Sequence, residues 1–80
     1  MKALVLFSRE DCHLCERLVE ALVPVIENRA TLEIVDIDVD PELVDRYGLR
    51  IPVLVGEGTE LSGYPLDQSR VERYLADHDG

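Results

Sequence analysis

Basic side chains are scarce in this sequence, which has 8 lysine and arginine residues against 17 aspartate and glutamate residues, for a net charge of −9. Because contacts with phosphate groups require clustered basic side chains, this balance argues against nucleic-acid binding. It argues equally against docking on an anionic membrane surface. We therefore expect neither nucleic acid nor a membrane among the partners.

Long apolar runs are also missing. The run at residues 3–7 has five members, whereas a signal peptide needs an apolar core of about 7–15 residues and a membrane helix needs about 20. The 80 residues suffice for one domain, so we expect a single domain over residues 1–80. We expect it to be a cytoplasmic monomer.

Cysteine is limited to Cys12 and Cys15. Two cysteines are too few for a disulfide-stapled small protein or for a zinc site built from cysteine alone. In a reducing cytosol a lasting structural disulfide is not expected either. Three interpretations stay open: a redox pair, part of a zinc site with His13 and His78, or two inert buried thiols.

The spacing of apolar residues predicts alternating strands and helices. Strands are predicted over residues 2–7, 32–37, 52–55 and 59–62. Helices are predicted from Asp11 past a kink at Pro24, from Asp40 to Tyr47, and over roughly 66–77. The order is βαβαββα, with a parallel first strand–helix–strand unit and an antiparallel hairpin at residues 56–58.

Turn and cap signals refine these elements. Asp11 is predicted to cap the first helix, and Gly48 is predicted to stop the second in a left-handed conformation. The second strand is predicted to be an edge strand whose charged side chains prevent aggregation. Its alternation places two sets of residues on opposite faces, Val35, Ile37 and Val39 on one and Asp36, Asp38 and Asp40 on the other.

The segment Cys12-His13-Leu14-Cys15 carries the clearest reactive potential. It follows a buried strand and opens a helix, whose N-terminus stabilises a thiolate. We therefore predict Cys12 as the exposed nucleophile and Cys15 as the buried resolving thiol. A protonated His13 would lower the pKa of Cys12 while nearby carboxylates would raise it, so the sign stays open. An exposed His13 without a role is an equal alternative.

The pair Ile51-Pro52 opens a predicted central strand, where proline is unusual. A cis bond there would leave the backbone N–H and C=O of Ile51 free for an extended thiol substrate. From the residues alone a trans bond is expected, because only about 5–6% of X–Pro bonds are cis.

The element order, the Cys12-His13-Leu14-Cys15 motif and the Ile51-Pro52 pair together resemble a glutaredoxin, the compact member of the thioredoxin fold class. More narrowly, the chain is similar to small bacterial glutaredoxin-like proteins of unassigned substrate. The resemblance implies an α/β fold with a four-stranded mixed sheet in order 2-1-3-4, helices on both faces and a cis bond before Pro52. It also implies dithiol–disulfide exchange by Cys12 and Cys15.

The resemblance further implies a glutathione site. Arg9, three residues before Cys12, matches a basic position that could hold the glycine carboxylate of glutathione. Ile51 could lend its backbone to the cysteine of glutathione. In the family, a segment with two glycines and an acid caps the γ-glutamyl end of glutathione. Gly63 matches one of these glycines, and the acid, Asp67, stands one position later than in the family.

Two more residues are candidates for substrate binding if the fold is right. Arg50, two residues before Pro52, could pair with a thiolate or a substrate carboxylate, or with a local acid. Tyr64 could form a lip over the site or act as a packing aromatic. Asp38 and Asp40 are expected near the same sheet edge, where an acidic rim would favour basic protein partners.

We therefore expect an oxidoreductase of electron transport that exchanges its dithiol with a protein disulfide or with glutathione, a low-molecular-weight thiol. It would bind no cofactor and would be regenerated by a cellular dithiol reductant. The alternative from a different class is a non-catalytic thioredoxin-fold binding or redox-sensor module, since fold does not settle function.

Overall fold

The computed structural model describes residues 1–77. Its strands are β1 (Lys2–Ser8), β2 (Ala30–Asp36), β3 (Val53–Gly56) and β4 (Thr59–Ser62), and its helices are α1 (His13–Ile26), α2 (Pro41–Tyr47) and α3 (Gln68–Ala76). The sheet order is β2-β1-β3-β4. Strand β1 pairs parallel with β2 and antiparallel with β3, and β3 pairs antiparallel with β4. The predicted fold, element order and sheet order are confirmed.

Alternating side chains of β1 enter two separate cores. Leu4 and Leu6 pack with residues of α1 and α3 on one face of the sheet. Phe7 points to the other face, where its ring stacks on Tyr47 of α2 at a centroid distance of 4.4 Å. Full burial of one such leucine or phenylalanine contributes about 1.5–3 kcal/mol. The sheet is therefore held between α2 on one side and α1 with α3 on the other.

Helix α1 begins one residue later than predicted. Its N-cap is Cys12 and not Asp11, which has a φ of 58° in the left-handed region. Aspartate is among the residues that tolerate this region best. The helix then continues through Pro24 to Ile26, and the prediction that the apolar stripe extends past the proline is confirmed. Pro24 lies on the exposed side of the helix, where water can bond the carbonyl group that the proline leaves unpaired.

The segment after β2 departs from the predicted strand. The strand ends at Asp36, and residues Ile37–Val39 form a 3-10 turn. The Asp36 carboxylate accepts a hydrogen bond of 2.9 Å from the Asp38 backbone N–H, which offers the chain a local alternative to the sheet. As a result Ile37 is fully buried and Val39 is 75% exposed, so the prediction that they share a face was wrong. The edge position of β2 is confirmed.

Helix α2 has the predicted start and end. The Asp40 carboxylate accepts from the Glu42 backbone N–H at 2.9 Å, Pro41 follows as the first helical residue, and the helix ends at Tyr47. The left-handed stop predicted at Gly48 is wrong, because this residue has right-handed angles of −53° and −35°. Glycine fits there for another reason: a Cβ atom would lie 2.5 Å from the carbonyl oxygen of Val44.

The β3–β4 hairpin turns through Glu57 and Gly58, whose φ angles of 50° and 78° are both left-handed, as a type I′ two-residue turn requires. Strand β3 starts at Val53, one residue later than predicted, because Pro52 has no N–H for the sheet. Helix α3 is shorter than predicted at both ends. Over residues 1–77, no helix combines the length and apolarity needed to cross a membrane.

Candidate redox site

The two cysteines lie where β1 leads into α1. The chain leaves the sheet at Ser8, turns at Asp11 and enters the helix at His13. This path places Cys12 at the helix N-cap and Cys15 in the first turn. Their sulfur atoms are at disulfide-bonding distance, and their Cα atoms are 5.2 Å apart.

Cys12 and Cys15 differ in exposure. Cys15 is buried, with 3% of its surface exposed, whereas Cys12 is half-buried. The Cys12 Sγ accepts a hydrogen bond of 3.2 Å from the Cys15 backbone N–H. That amide belongs to the first turn of α1, where backbone donors have no partner within the helix and favour negative charge. The geometry therefore suits an accessible thiolate at Cys12 and a shielded thiol at Cys15.

His13 lies on the surface of α1, with 71% of its side chain exposed. Its Nε2 atom accepts a hydrogen bond of 3.2 Å from Arg17 Nε, and its Nδ1 atom lies 3.8 Å from a carboxylate oxygen of Glu16. The Nε2 atom is thus hydrogen-bonded one turn further along the same helix, and the Nδ1 atom lies near Glu16 beyond hydrogen-bonding distance.

Arg9 lies beside the cysteines and is held by an acid of the neighbouring strand end. Its Nε atom lies 3.1 and 3.0 Å from the two carboxylate oxygens of Asp38, and its Nη2 atom lies 2.9 Å from one of them. The parallel pairing of β1 with β2, which sets Ser8 opposite Asp36, brings the two residues together. A carboxylate of glutathione would have to compete with Asp38 for this guanidinium.

Arg50 pairs with an acid of β4. Its guanidinium forms a hydrogen-bonded ion pair with the Glu60 carboxylate and lies 5.9 Å from the centre of the Tyr47 ring. The hydrogen bond and the charge of Glu60 raise the pKa of Arg50 further above its usual range. Of the contacts predicted for Arg50, the one with a local acid is the one present.

The Ile51–Pro52 peptide bond is cis. The Ile51 backbone N–H, however, donates a hydrogen bond of 3.0 Å to the carbonyl oxygen of Tyr47 at the end of α2. The prediction that this N–H is free for a substrate was therefore wrong. The reason is that α2 ends with unpaired carbonyl groups, and the following loop supplies a donor to one of them.

The segment after β4 approaches this proline. A Cβ atom on Gly63 would lie 3.6 Å from the Pro52 carbonyl oxygen, so the two residues are neighbours. Tyr64 is 42% exposed and lines a cleft with Arg17 and Ala21 of α1.

Asp67 has a structural role in the segment after β4. Its carboxylate caps α3 by accepting from the Arg70 backbone N–H at 3.1 Å, and its own N–H donates to Ser62 Oγ at 2.8 Å. The carboxylate that would correspond to the glutathione-binding acid is thus engaged in the helix cap.

A groove of about 480 Å³ opens at the cysteines, between α1 and the strands β1 and β2. Cys12, Cys15 and Arg9 line it, whereas Pro52 and Gly63 meet on the β3 side of the site. Sequence reasoning missed the contributions of Val19, Glu20 and Ile34 to the groove. The predicted parallel pairing of the first two strands could have placed Ile34 beside β1. The position of α1 above these strands, however, could not be predicted from the spacing of residues.

The zinc interpretation requires a cluster of metal ligands. Within residues 1–77, no three side chains of histidine, cysteine, aspartate or glutamate are grouped as a metal ion would require. His78, the second histidine of that interpretation, lies outside the described residues.

Comparison with known proteins assigns the family. Residues 3–76 match the family model described as Glutaredoxin-like domain (DUF836). This chain belongs to the glutaredoxin-like family. The family and fold predicted from the motif and element order are confirmed. None of the curated proteins compared with the chain matches it.

Solved structures agree with this assignment. The X-ray structure of target protein XcR50 from X. campestris is 41% identical, covers 90% of this chain and 93% of its own, and has a TM-score of 0.71. The solution structure of XcR50 is also 41% identical, covers 98% and 99%, and has a TM-score of 0.73. The holo form of glutaredoxin C1 from Populus tremula x tremuloides is 20% identical, covers 88% and 70%, and has a TM-score of 0.54, which shows a shared fold alone.

Proposed function

We propose that this glutaredoxin-like protein is a thiol–disulfide oxidoreductase, with Cys12 as nucleophile and Cys15 as resolving thiol. One observation carries the proposal: a half-buried cysteine and a buried cysteine lie at a helix N-terminus with their sulfur atoms at disulfide-bonding distance. A helix N-terminus lowers thiol pKa values, which makes a thiolate available near neutral pH. The reaction needs no bound cofactor and suits the reducing cytoplasm.

The exchange proceeds in two displacements. In the reduced protein the Cys12 thiolate attacks one sulfur of a substrate disulfide, so a mixed disulfide forms and one substrate thiolate leaves. Cys15 then loses its proton and attacks the Cys12 sulfur, which breaks the mixed disulfide and releases the second substrate thiolate. The substrate gains two electrons and takes up two protons, and the protein is left with the Cys12–Cys15 disulfide.

The oxidised protein must then recover two electrons. A cellular dithiol, or two molecules of glutathione in succession, attacks the Cys12–Cys15 disulfide, returns both cysteines to the thiol form and is itself oxidised to a disulfide. Cys12, the half-buried residue of the pair, is the accessible point of attack, whereas Cys15 is buried.

The preferred substrate is a disulfide within or between proteins, and a disulfide that contains glutathione is disfavoured. One group in each of the three places that the family resemblance assigns to glutathione is engaged within the protein: Arg9 with Asp38, the Ile51 N–H with Tyr47, and Asp67 with the α3 backbone. Each would have to be exchanged for a contact with glutathione. Such an exchange yields less free energy than filling an unpaired group.

Single-cysteine variants test the proposal. With hydroxyethyl disulfide as a neutral substrate and excess dithiothreitol as the reductant, we expect Cys12→Ser to lose turnover. When the reduced Cys15→Ser protein is freed of dithiothreitol and then mixed with hydroxyethyl disulfide, it is expected to accumulate a mixed disulfide on Cys12, visible by mass spectrometry as an added mercaptoethanol group. Turnover of Cys12→Ser at the wild-type rate would contradict the proposal. A reversible dithiol couple without turnover of any disulfide would instead identify a redox-sensor module.

A further inference from the structure

The groove beside the cysteines exists because α1 does not cover the edge strand completely. The strand pairing sets Leu6 of β1 directly beside Ile34 of β2. Helix α1 packs over Leu6, which is fully buried, but Ile34 remains 56% exposed. A strip of apolar surface is therefore left open along the edge of the sheet.

This strip leads to the reactive sulfur atoms. Cys12 and Cys15 both line the groove, together with Val19 of α1 and with Leu6 and Ile34 of the sheet. If a substrate side chain packs against Ile34 and Val19, the substrate residues next to it therefore lie close to Cys12. Of the residues that the family resemblance assigns to glutathione, Arg9 lines the groove, whereas Ile51 and Gly63 do not.

The walls of the groove are acidic. Of the described residues that line it, four are acidic, namely Glu10, Asp11, Glu16 and Glu20, and one is basic, Arg9. The charge of Arg9 is balanced by Asp38 in a bidentate ion pair. An anionic ligand would therefore meet an excess of like charge, whereas a cationic one would meet complementary charge.

We propose that this groove binds the part of a protein substrate that flanks its disulfide, and that this part combines an apolar side chain with lysine or arginine. The inference rests on the proposed function and names its substrate class. The apolar side chain covers Ile34 and Val19, and the cationic groups meet the carboxylates of Glu16 and Glu20. The reaction itself is the two-displacement exchange given above, in which the substrate disulfide is reduced and the dithiol is oxidised.

Two peptide substrates test the preference directly. Each is a cyclic peptide with one internal disulfide and one leucine, and they differ only in that two lysines of one are two glutamates in the other. The rate of reduction by the reduced protein is measured in single turnover by chromatography. Because charge near a disulfide also changes its intrinsic reactivity, each rate is divided by the rate of the same peptide with free dithiothreitol.

At low salt we expect the corrected rate to be about fivefold or more higher for the lysine peptide than for the glutamate peptide. In about 0.5 M NaCl the ratio is expected to fall to about twofold or less, because salt screens exposed charges. A ratio below about twofold at low salt, or one that does not change with salt, overturns the inference.

Matched charge variants assign the preference to the groove. Glu16→Gln with Glu20→Gln removes two groove carboxylates, and Glu33→Gln with Asp45→Asn removes two carboxylates on the opposite face of the sheet. The first pair is expected to reduce the lysine-to-glutamate ratio to about twofold or less, whereas the control pair keeps it within about twofold of wild type. An equal loss in both pairs would assign the preference to overall charge and overturn the inference.

The apolar part of the proposal has its own variant. Ile34→Ala is expected to lower the rates with both peptides by about two- to threefold, and replacing the peptide leucine by serine is expected to remove this difference. If Ile34→Ala reduces both peptides at the wild-type rate, the proposed apolar contact with the substrate is wrong. Failure of the wild-type protein to reduce hydroxyethyl disulfide as well would instead contradict the proposed function.

Discussion

At the scale of single residues, the sulfur of Cys12 takes a position that serine, threonine, asparagine or aspartate usually holds at a helix N-terminus. It accepts the Cys15 backbone N–H at 3.2 Å, so an otherwise unsatisfied amide has an acceptor. Sequence rules for caps favour side-chain oxygen, and for this reason they selected Asp11 and missed the cysteine. Reduction to a thiolate strengthens this hydrogen bond, because a charged acceptor bonds more strongly than a neutral one.

The ion pair between Arg9 and Asp38 leads to a prediction at the same scale. Asp38→Asn removes the negative partner and leaves the guanidinium available for a substrate carboxylate. We expect this variant to reduce a glutathionylated peptide about two- to fivefold faster than wild type, because a hydrogen bond to a charged group contributes more than a neutral one. The measurement is the steady-state rate with that peptide at low salt.

The control for this prediction is Asp45→Asn, which removes one charge on α2, away from the cysteines. Its rate with the glutathionylated peptide should match wild type. If Asp45→Asn accelerates the reaction as much as Asp38→Asn, the effect belongs to net charge and the assigned role of the ion pair is wrong.

At the scale of elements, α3 is fixed to the sheet by a close approach between an aromatic ring and a glycine. A Cβ atom on Gly56 would lie 2.6 and 2.8 Å from ring atoms of Tyr74 and 2.9 Å from Leu61. The Tyr74 hydroxyl donates to the Ala3 carbonyl oxygen at 2.8 Å, so the ring cannot move away without loss of this bond. The hairpin and α3 therefore pack this closely because Gly56 has no side chain.

Gly56→Ala is accordingly expected to lower the free energy of unfolding by about 1–3 kcal/mol, the usual cost of inserting an extra methyl group into a packed core. Urea denaturation followed by circular dichroism measures it. The matched control is Gly63→Ala, where the nearest atom to a new Cβ is at an ordinary contact distance of 3.6 Å. Its effect should stay within about 0.5 kcal/mol. Equal destabilisation by both variants would refute the packing argument.

Element positions were predictable where one pattern dominated locally. The apolar run of β1, the stripe of α1 and the Asp40-Pro41 start of α2 each predicted the observed element. The left-handed stop at Gly48 and the strand continuation at Ile37 failed, because the Gly48 N–H bonds the Val44 carbonyl oxygen and the Asp36 side chain bonds the Asp38 N–H. The cysteine pair was evident from its spacing, whereas the groove depends on how far α1 extends over β2.

At the scale of the whole molecule, negative charge is in excess and unevenly placed. Residues 31–48, which include most of β2 and all of α2, carry 6 acidic and 1 basic side chain, so they account for −5 of the total of −9. Ion pairs such as Arg29–Glu72 at 2.7 Å and Lys2–Glu57 at 3.4 Å balance some of the remaining acids. Since the protein has 17 acidic and 8 basic side chains, repulsion among carboxylates outweighs these attractions.

Added salt should therefore stabilise this protein. Screening weakens both repulsion and exposed ion pairs, and with acids in excess the loss of repulsion dominates. Raising NaCl from about 0.02 to 0.5 M is expected to increase Tm by about 4–8 °C, which corresponds to about 1 kcal/mol in a domain of this size.

The variant with Glu33→Gln and Asp45→Asn separates screening of charge from a general salt effect. Both substitutions relieve repulsion within the acidic region, so we expect the variant to melt above wild type at low salt. The difference should shrink at high salt, where the wild-type carboxylates are already screened. Differential scanning fluorimetry at a series of salt concentrations measures both curves. A constant offset between them would mean that the substitutions act through local structure, and an unchanged wild-type Tm would show that exposed ion pairs offset the repulsion.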